Sequence, residues 1–315
     1  MTAPVLHSVD LTIGYRHKKT QHMVARQLAL HLPAGRLTCL MGPNGIGKST
    51  LIKTLAGMLA PLDGQIWLQD RPLANLSAKE RARQMALVLT GKPATGLMSV
   101  EDLVRLGRYP YTNWQNNFTS ADHQAVDRAL AQVGLQAQRH TLLSHLSDGN
   151  LQKAVIARAL AQETPLIILD EPTIHLDINN KQVITGLLQQ LCLQQGKSIL
   201  LATHDLDLAL TFGHYLWLFD KEGIHQGLTE DLVLDGSVEK VFALHNHQPQ
   251  DNLPPLNITG DKHAVGLLKK ALGKHAIDPQ KLPEAVHISR QGEALHITCQ
   301  DHTYGSIAAF LESVQ

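Results

Sequence analysis

The chain is poor in cysteine and in aromatic side chains. Its 315 residues include three cysteines, and phenylalanine, tryptophan and tyrosine together make up 4%. Cys39, Cys192 and Cys299 are far apart and stand in apolar or strand-like stretches. This spacing excludes a C-x-x-C motif and a disulfide framework, so we interpret all three as reduced core residues.

Long apolar runs and an excess of charge are also missing. No apolar stretch reaches the ~18 residues that a membrane-spanning helix needs, and the first residues show no apolar core of a secretory signal. Lysine plus arginine and aspartate plus glutamate each number 28, which disfavours a nucleic-acid-binding surface. The 18 histidines are scattered without H-E-x-x-H spacing, so we expect packing or surface roles for most of them. We therefore expect a chain that is cytosolic or is held at a membrane by another protein.

One stretch has the pattern G-x-x-x-x-G-K-S, which is typical of a loop that binds phosphate groups. An apolar segment at 37–41 precedes it, and a segment with apolar residues at helical spacing follows at 50–59. Glycines let the backbone N–H groups close around a polyphosphate, Lys48 can reach the terminal phosphates, and Ser49 can bind Mg²⁺. The predicted phosphate-binding residues are Gly42, Pro43, Asn44, Gly45, Ile46, Gly47, Lys48, Ser49 and Thr50.

A second predicted strand, at 166–169, is followed by two carboxylates. Ligands bind at the carboxyl ends of the strands in parallel sheets, so Asp170 and Glu171 are candidates for a site. Asp170 can hold Mg²⁺ directly or through water, and Glu171 can polarise a water for attack on a γ-phosphate. A further predicted strand leads to His204, although a lone histidine is more often structural than catalytic.

A third informative stretch, at 146–150, precedes a predicted helix. Ser147 is well placed as the N-cap of that helix, whose N-terminus would then offer free N–H groups to an anion. The candidate residues here are Ser147, Asp148, Gly149 and Asn150.

In their order and spacing these stretches resemble the ATPase subunit of an ATP-binding-cassette (ABC) transporter, over about residues 3–245. The resemblance implies ATP and Mg²⁺ as cofactors, and a catalytic group in which Lys48 contacts phosphate, Glu171 is the general base and His204 senses the γ-phosphate. It also implies that Tyr15 stacks on adenine. Asp177, in a loop at 175–177, would couple the two subunits of a dimer.

The resemblance further implies a head-to-tail homodimer, in which each ATP lies between the P-loop of one subunit and Ser147 and Gly149 of the other. A separate integral membrane permease would carry the substrate, fed by an external substrate-binding protein, with this chain peripheral on the cytoplasmic face and without a nucleic-acid partner. The residues around Gly107 and at 156–160 are most similar to importers of ferric siderophores, haem or cobalamin. Two other interpretations stay open: a soluble ABC-type ATPase acting on nucleic acid or the ribosome, and a nucleotide-binding regulatory subunit with little turnover.

Two positions depart from the family pattern. Thr90 stands where the family usually carries a glutamine that contacts Mg²⁺ and the attacking water, so Thr90 is a candidate metal ligand with a shorter reach. Asp148 stands where glycine is commoner, and we expect its side chain to point away from the γ-phosphate, because like charges repel. Both departures favour the low-turnover interpretation.

The predicted fold is α/β, a P-loop NTPase of the ABC cassette type with a mixed sheet core, early antiparallel strands at 5–15 and 23–32, and a helical subdomain at about 95–160. The cassette would occupy 1–245, a Pro-rich linker 246–256, and a small α+β module 257–315. In the module we predict strands at 256–259, 285–289 and 294–299 and helices at 262–273 and 304–314. A module of this size buries little core, so we expect it to pack on the cassette or on a dimer mate.

Overall fold

The computed structural model describes residues 4–17, 20–91, 96–112, 117–174, 176–242, 258–275, 277, 282, 285–291, 294–299 and 302–314. The predicted linker at 246–256 and His175 of the 175–177 loop lie outside these residues.

A mixed six-stranded sheet forms the centre of the cassette. Three of its strands, β4 (Leu37–Met41), β8 (Leu166–Asp170) and β9 (Ser198–Ala202), are buried at every residue. This burial on both faces explains why their sequences are largely apolar without alternation. The order is β11-β10-β4-β9-β8-β7, with β11 antiparallel to β10 and the other pairs parallel. The strands are β4 (Leu37–Met41), β7 (Met85–Val88), β8 (Leu166–Asp170), β9 (Ser198–Ala202), β10 (Tyr215–Phe219) and β11 (Ile224–Leu228).

A second, antiparallel sheet precedes and flanks the central one. It comprises β1 (Pro4–His17), β2 (Thr20–Leu28), β3 (His31–Pro33), β5 (Asp63–Leu68) and β6 (Arg71–Pro72). The single strand predicted at 23–32 is wrong, because the chain there forms both β2 and β3. These two strands pair with opposite ends of β1, and Gln27, near the end of β2, has a φ of +55°.

The helices of the cassette follow strands of the central sheet, lead into β7, or form the helical region between β7 and β8. They are α1 (Lys48–Leu55), α2 (Ala78–Gln84), α3 (Val100–Arg105), α4 (Ser120–Val133), α5 (Asp148–Ala161), α6 (Ile178–Gln195), α7 (Leu206–Phe212), α8 (Thr229–Leu234) and α9 (Ser237–Phe242). Short 3₁₀ turns lie at Leu73–Asn75, Leu106–Arg108, Gln136–Gln138 and Leu143–His145.

Reciprocal caps and a buried arginine hold the helical region together. Ser99 with Asp102 and Thr119 with Asp122 form capping boxes at the starts of α3 and α4. Arg108 is 5% exposed; its Nε lies 2.9 Å from Asp122 Oδ1, and its Nη1 donates to the carbonyl of Ala161 at 2.7 Å. A buried guanidinium needs such partners, so Arg108 ties α4 to the end of α5.

The C-terminal residues form a four-stranded sheet with two helices. The elements are β12 (Ile258–Gly260), α10 (Lys262–Lys274), β13 (Val286–Gln291), β14 (Ala294–Cys299), β15 (His302–Tyr304) and α11 (Ile307–Val314), with strand order β12-β13-β14-β15. The helix predicted at 304–314 is present, but its predicted start is three residues too early. Residues 302–304 pair with β14 as an additional edge strand, and the helix begins at Ile307.

This module packs against the cassette of its own chain, with buried side chains of both in one apolar cluster. Lys274 Nζ lies 2.8 Å from Glu230 Oε1 and donates to the Gly213 carbonyl at 2.9 Å. Asp231 accepts from the backbone N–H groups of Ile307 and Ala308 at the start of α11. The contact is thus built from apolar packing, an ion pair and a helix cap.

None of the helices among the described residues combines the length and the apolar composition needed to cross a bilayer.

Candidate functional site

Four neighbouring strands of the central sheet carry predicted site residues at their carboxyl ends. The strands lie side by side in the order β4-β9-β8-β7. The P-loop follows β4, His204 follows β9, Glu171 follows β8 and Thr90 follows β7. Because these strands are parallel, their ends meet at one edge, which is where α/β proteins bind ligands.

The P-loop needs glycine at its two tightest points. Gly47 precedes α1 with a φ of +119°, and a Cβ there would overlap Cγ1 of Val24. A Cβ at Gly42 would overlap the carbonyl oxygen of Phe219, at the end of β10. The loop is therefore wedged between β2 and β10, with the N-terminus of α1 at its end as a place for an anion.

Lys48 is buried inside this loop. Its Nζ donates to the carbonyl oxygens of Gly42 at 2.7 Å and Pro43 at 3.2 Å. Burial lowers the pKa of Lys48, and the negative charges of Glu171 and Asp170 oppose that shift. The lysine cation thus lies within reach of both carboxylates and of any phosphate in the loop.

Tyr15 lies beside the start of α1. Its hydroxyl is 2.7 Å from Thr50 Oγ1, and the residue is 44% exposed. The hydroxyl is anchored on the helix that follows the P-loop, while part of the ring stays open to solvent. A planar base could stack there, as the sequence interpretation requires.

Asp170 is surrounded by hydroxyl groups. Burial raises the pKa of Asp170 above its ordinary value, and the neighbouring Ser49 and Thr90 hydroxyl groups oppose the shift only in part. Thr90 Oγ1 donates its proton to the Asp170 carbonyl oxygen at 2.9 Å. Ser49, Thr90 and Asp170 therefore form a compact set of oxygen atoms, although the Thr90 hydroxyl is already engaged with the backbone.

Glu171 has an unusual backbone conformation. Its φ is +49°, in the left-handed region that non-glycine residues rarely adopt, and its N–H donates to the Ala202 carbonyl at 3.0 Å. Such a conformation costs roughly 1–3 kcal/mol and persists where the surroundings impose it, often at functional sites. Glu171 Oε2 lies 3.4 Å from His204 Nδ1, so these two candidate catalytic side chains are in contact.

The residues predicted to act across a dimer lie together at the starts of α5 and α6. Ser147 caps α5 by accepting from Asn150 N–H, and Asn150 Nδ2 donates to Gln138 Oε1. Asp177 caps α6, and its hydrogen bonds from Asn180 lower its pKa. These contacts stay on the helical region and α6 and do not reach the P-loop of the same chain.

Asn180, which the sequence analysis missed, joins the two caps. A Cβ at Gly149 would lie 2.8 Å from the Asn180 side chain, so Gly149 and Asn180 are closely packed. Asn180 Nδ2 also donates to Asp177 Oδ2 at 2.6 Å. The Asp-x-x-Asn spacing before an apolar helix was the available signal for a cap.

Asp148 faces a cavity of about 180 Å³ that Thr90, Gln152 and Glu171 also line. Asp148 and Thr90, the two positions that depart from the family pattern, thus border the same cavity as Glu171, the candidate base. The ion pair between Lys181 and Asp205 was missed as well, because nothing in the sequence links positions on different helices.

Comparisons with known proteins agree with this geometry. The family model described as ABC transporter matches residues 25–174. A probable siderophore transport system ATP-binding protein, YusV of Bacillus subtilis, is 36% identical over 254 residues, which cover 80% of this chain and 91% of that protein. The ferric enterobactin transport ATP-binding protein FepC of Escherichia coli is 33% identical over 240 residues, covering 76% of this chain and 87% of its own.

A solved structure of an ABC transporter component is similar to this chain in fold. The structure of cbiO1 from Clostridium perfringens, part of an ABC transporter complex, superposes with a TM-score of 0.65 and 26% identity. The match covers 76% of this chain and 94% of cbiO1. With a P-loop, a carboxylate pair and a histidine at one sheet edge, and relatives matched over most of their length, the chain belongs to the ABC transporter family as one of its ATP-hydrolysing subunits.

Proposed function

We propose that this chain hydrolyses ATP to energise uptake of a metal chelate of the ferric siderophore type through a separate membrane permease. The observation that carries the hydrolytic part is the 3.4 Å contact between Glu171 and His204 at the strand ends beside the P-loop. The siderophore part rests on the relatives, which are ATP-binding proteins of siderophore and ferric enterobactin transport.

The residues present fit a nucleotide with Mg²⁺. Mg²⁺ prefers oxygen ligands, and the Ser49 hydroxyl and the Asp170 carboxylate supply them, with Thr90 beside Asp170. When bound, Mg²⁺ would offset charge on the β- and γ-phosphates. The P-loop N–H groups and the Lys48 ammonium would bind the same phosphates from the other side.

In the proposed reaction the water oxygen bonds to the γ-phosphorus while the bond from that phosphorus to the β–γ bridging oxygen breaks and ADP leaves. Glu171 takes the proton that the attacking water loses. The strained backbone at Glu171 and its bond to Ala202 limit the positions of the carboxylate. His204, in contact with Glu171 Oε2, would bind a γ-phosphate oxygen and keep the base oriented. Tyr15, held at Thr50, would receive the adenine ring.

The proposed active form is a head-to-tail homodimer. Ser147 and Gly149 make their contacts at the starts of α5 and α6, where the α5 N-terminus could meet the ATP held by another copy. Asp177, which caps α6 beside Gly149, would couple the two sites. ATP binding could then close the dimer and hydrolysis reopen it.

The proposed location is the cytoplasmic face of the membrane, bound to an integral permease that receives substrate from an external binding protein. We would test this by affinity purification of the tagged full chain from detergent-solubilised native membranes, with an untagged strain as control. Co-purification of an integral membrane protein in a constant ratio is expected. Recovery only in the soluble fraction, alone or with nucleic acid, would contradict the proposal and favour a soluble ATPase.

A further inference from the structure

An ion pair connects two of the segments that carry candidate catalytic residues. Lys181 Nζ lies 3.0 Å from Asp205 Oδ2, and the two side chains are 21% and 23% exposed. Lys181 belongs to α6, which begins after Asp177, and Asp205 directly follows His204. The contact therefore joins the start of the Asp177 helix to the loop that holds His204.

Asp205 is held at both of its carboxylate oxygens. Oδ1 accepts from Leu208 N–H at 3.2 Å as the N-cap of α7, while Oδ2 accepts from Lys181. The Asp205 N–H donates to Thr203 Oγ1 at 3.1 Å. With these contacts the Asp205 carboxylate has little conformational freedom, so the peptide bond between His204 and Asp205 is also restrained. This restraint limits the directions in which the His204 imidazole can point.

The position of Lys181 is not favoured by its own helix. It is the fourth residue of α6, near the positive end of the helix dipole, where a cation is disfavoured. Asp205 precedes α7, where an anion is favoured. The ion pair thus gives Lys181 a partner outside its helix, and partial burial reduces the screening of that pair by salt.

We infer that Lys181 is a positioning residue, which acts through Asp205 to hold His204 against Glu171 for ATP hydrolysis. This inference rests on the proposed function. A second contact between the same two helices provides a matched comparison, because Gln189 Nε2 donates to the Phe212 carbonyl at 3.1 Å. That contact lies at the end of α7 farthest from His204, so it joins the helices without acting on the histidine.

The test compares ATP turnover by the full chain with Lys181→Met, Lys181→Arg and Gln189→Met, each also made with His204→Ala. We expect Lys181→Met to lower kcat about tenfold, less than the hundredfold that a misplaced catalytic group can cost, with KM for ATP and the thermal unfolding midpoint unchanged. Lys181→Arg should restore most of the turnover, and Gln189→Met should retain it. With His204 removed, Lys181→Met should cause less than about a twofold further loss, because the two changes act on one unit.

Three results would overturn the inference: unchanged kcat in Lys181→Met, an equal loss in Gln189→Met, or a full additional loss in the His204→Ala background. Absence of turnover in the unaltered chain would contradict the proposed function instead. In that case the inference is tested by the imidazole NMR resonance of His204, which is assigned because it disappears in His204→Ala. A shift of that resonance in Lys181→Met but not in Gln189→Met supports the inference, and coincident spectra overturn it.

Discussion

Gly47 shows how a single missing Cβ shapes the nucleotide site. Its φ of +119° and its closeness to Val24 leave no place for a side chain. We expect Gly47→Ala to weaken ATP binding about 5- to 150-fold, because backbone strain of roughly 1–3 kcal/mol must be relieved by moving the loop. Equilibrium titration with a fluorescent ATP analogue measures the change.

The matched control is Gly196→Ala. Gly196 also has a positive φ, +63°, but nothing lies within 4 Å of a Cβ there, and it ends α6 away from the loop. Gly196→Ala should lower the stability of the folded chain without changing its affinity for ATP. Equal affinity of Gly47→Ala and the unaltered chain would show that the loop tolerates a side chain.

The sequence predicts those site residues whose role follows from their immediate neighbours in the chain. Lys48, Ser49 and Asp170 are recognisable because a motif or a strand end points to the role proposed for each of them. The partners of Thr90 and Lys181 are not recognisable, because Asp170 is 80 positions from Thr90 and Asp205 is 24 from Lys181. Only the order of strands and the pairing of α6 with α7 bring such residues together.

The interface between α10 and the cassette contains two buried histidines. Burial lowers the pKa of His214 to about 4 and that of His275 to about 3. Charges of Arg36 and Lys274 act in the same direction on both. Neither ring nitrogen of His275 has a hydrogen-bond partner among the described residues, whereas His214 Nδ1 accepts from Leu37 N–H.

Acid should therefore destabilise this interface. In the unfolded chain these histidines bind protons below a pKa of about 6.5, while the folded chain resists protonation until about pH 4, so stability is lost as the pH falls through that window. At pH 5.5 the loss is roughly 1 kcal/mol per histidine. We expect His275→Leu to lose less thermal stability than the unaltered chain between pH 7.5 and 5.5.

Thermal unfolding midpoints at the two pH values measure this difference. The control is His22→Gln, because His22 is exposed on β2, away from the module. Its pH dependence should match that of the unaltered chain. If His275→Leu and the unaltered chain respond to acid alike, the buried histidine does not control the stability of the interface.

A helix or strand is predictable from the sequence when its own residues carry a clear apolar periodicity and clear end signals. The apolar spacing at 120–133 predicts an amphipathic helix, and α4 has these bounds, with a capping box at its start and Gly134 at its end. β15 was missed because His302–Tyr304 is short and polar, and its pairing with β14 supplies the strand conformation. The division of 23–32 into β2 and β3 likewise depends on pairing with β1.

For the whole molecule, the sequence predicted an ABC cassette followed by a small module, but left open where the module packs. The answer lies in long-range contacts, such as Lys274 with Glu230 and Asp231 with the start of α11. Each of these charges alone is unremarkable in sequence. Together these contacts place the module against the cassette next to α7 and α8.

The proposed function requires that the purified chain hydrolyses ATP and that Glu171 acts as the general base. Glutamine at this position keeps the shape of the side chain but cannot take the proton from water. ATP turnover should therefore fall at least about a hundredfold in Glu171→Gln, while ATP binding persists. Glu222→Gln, an exposed acid in the loop between β10 and β11, serves as the matched control and should retain turnover.

The measurement to make first is thus the rate of phosphate release by the unaltered chain and by Glu171→Gln at saturating ATP and Mg²⁺. We expect turnover by the unaltered chain and its near-complete loss in the variant, with ATP still bound. Hydrolysis by the unaltered chain that is no faster than by Glu171→Gln would contradict the role proposed for Glu171.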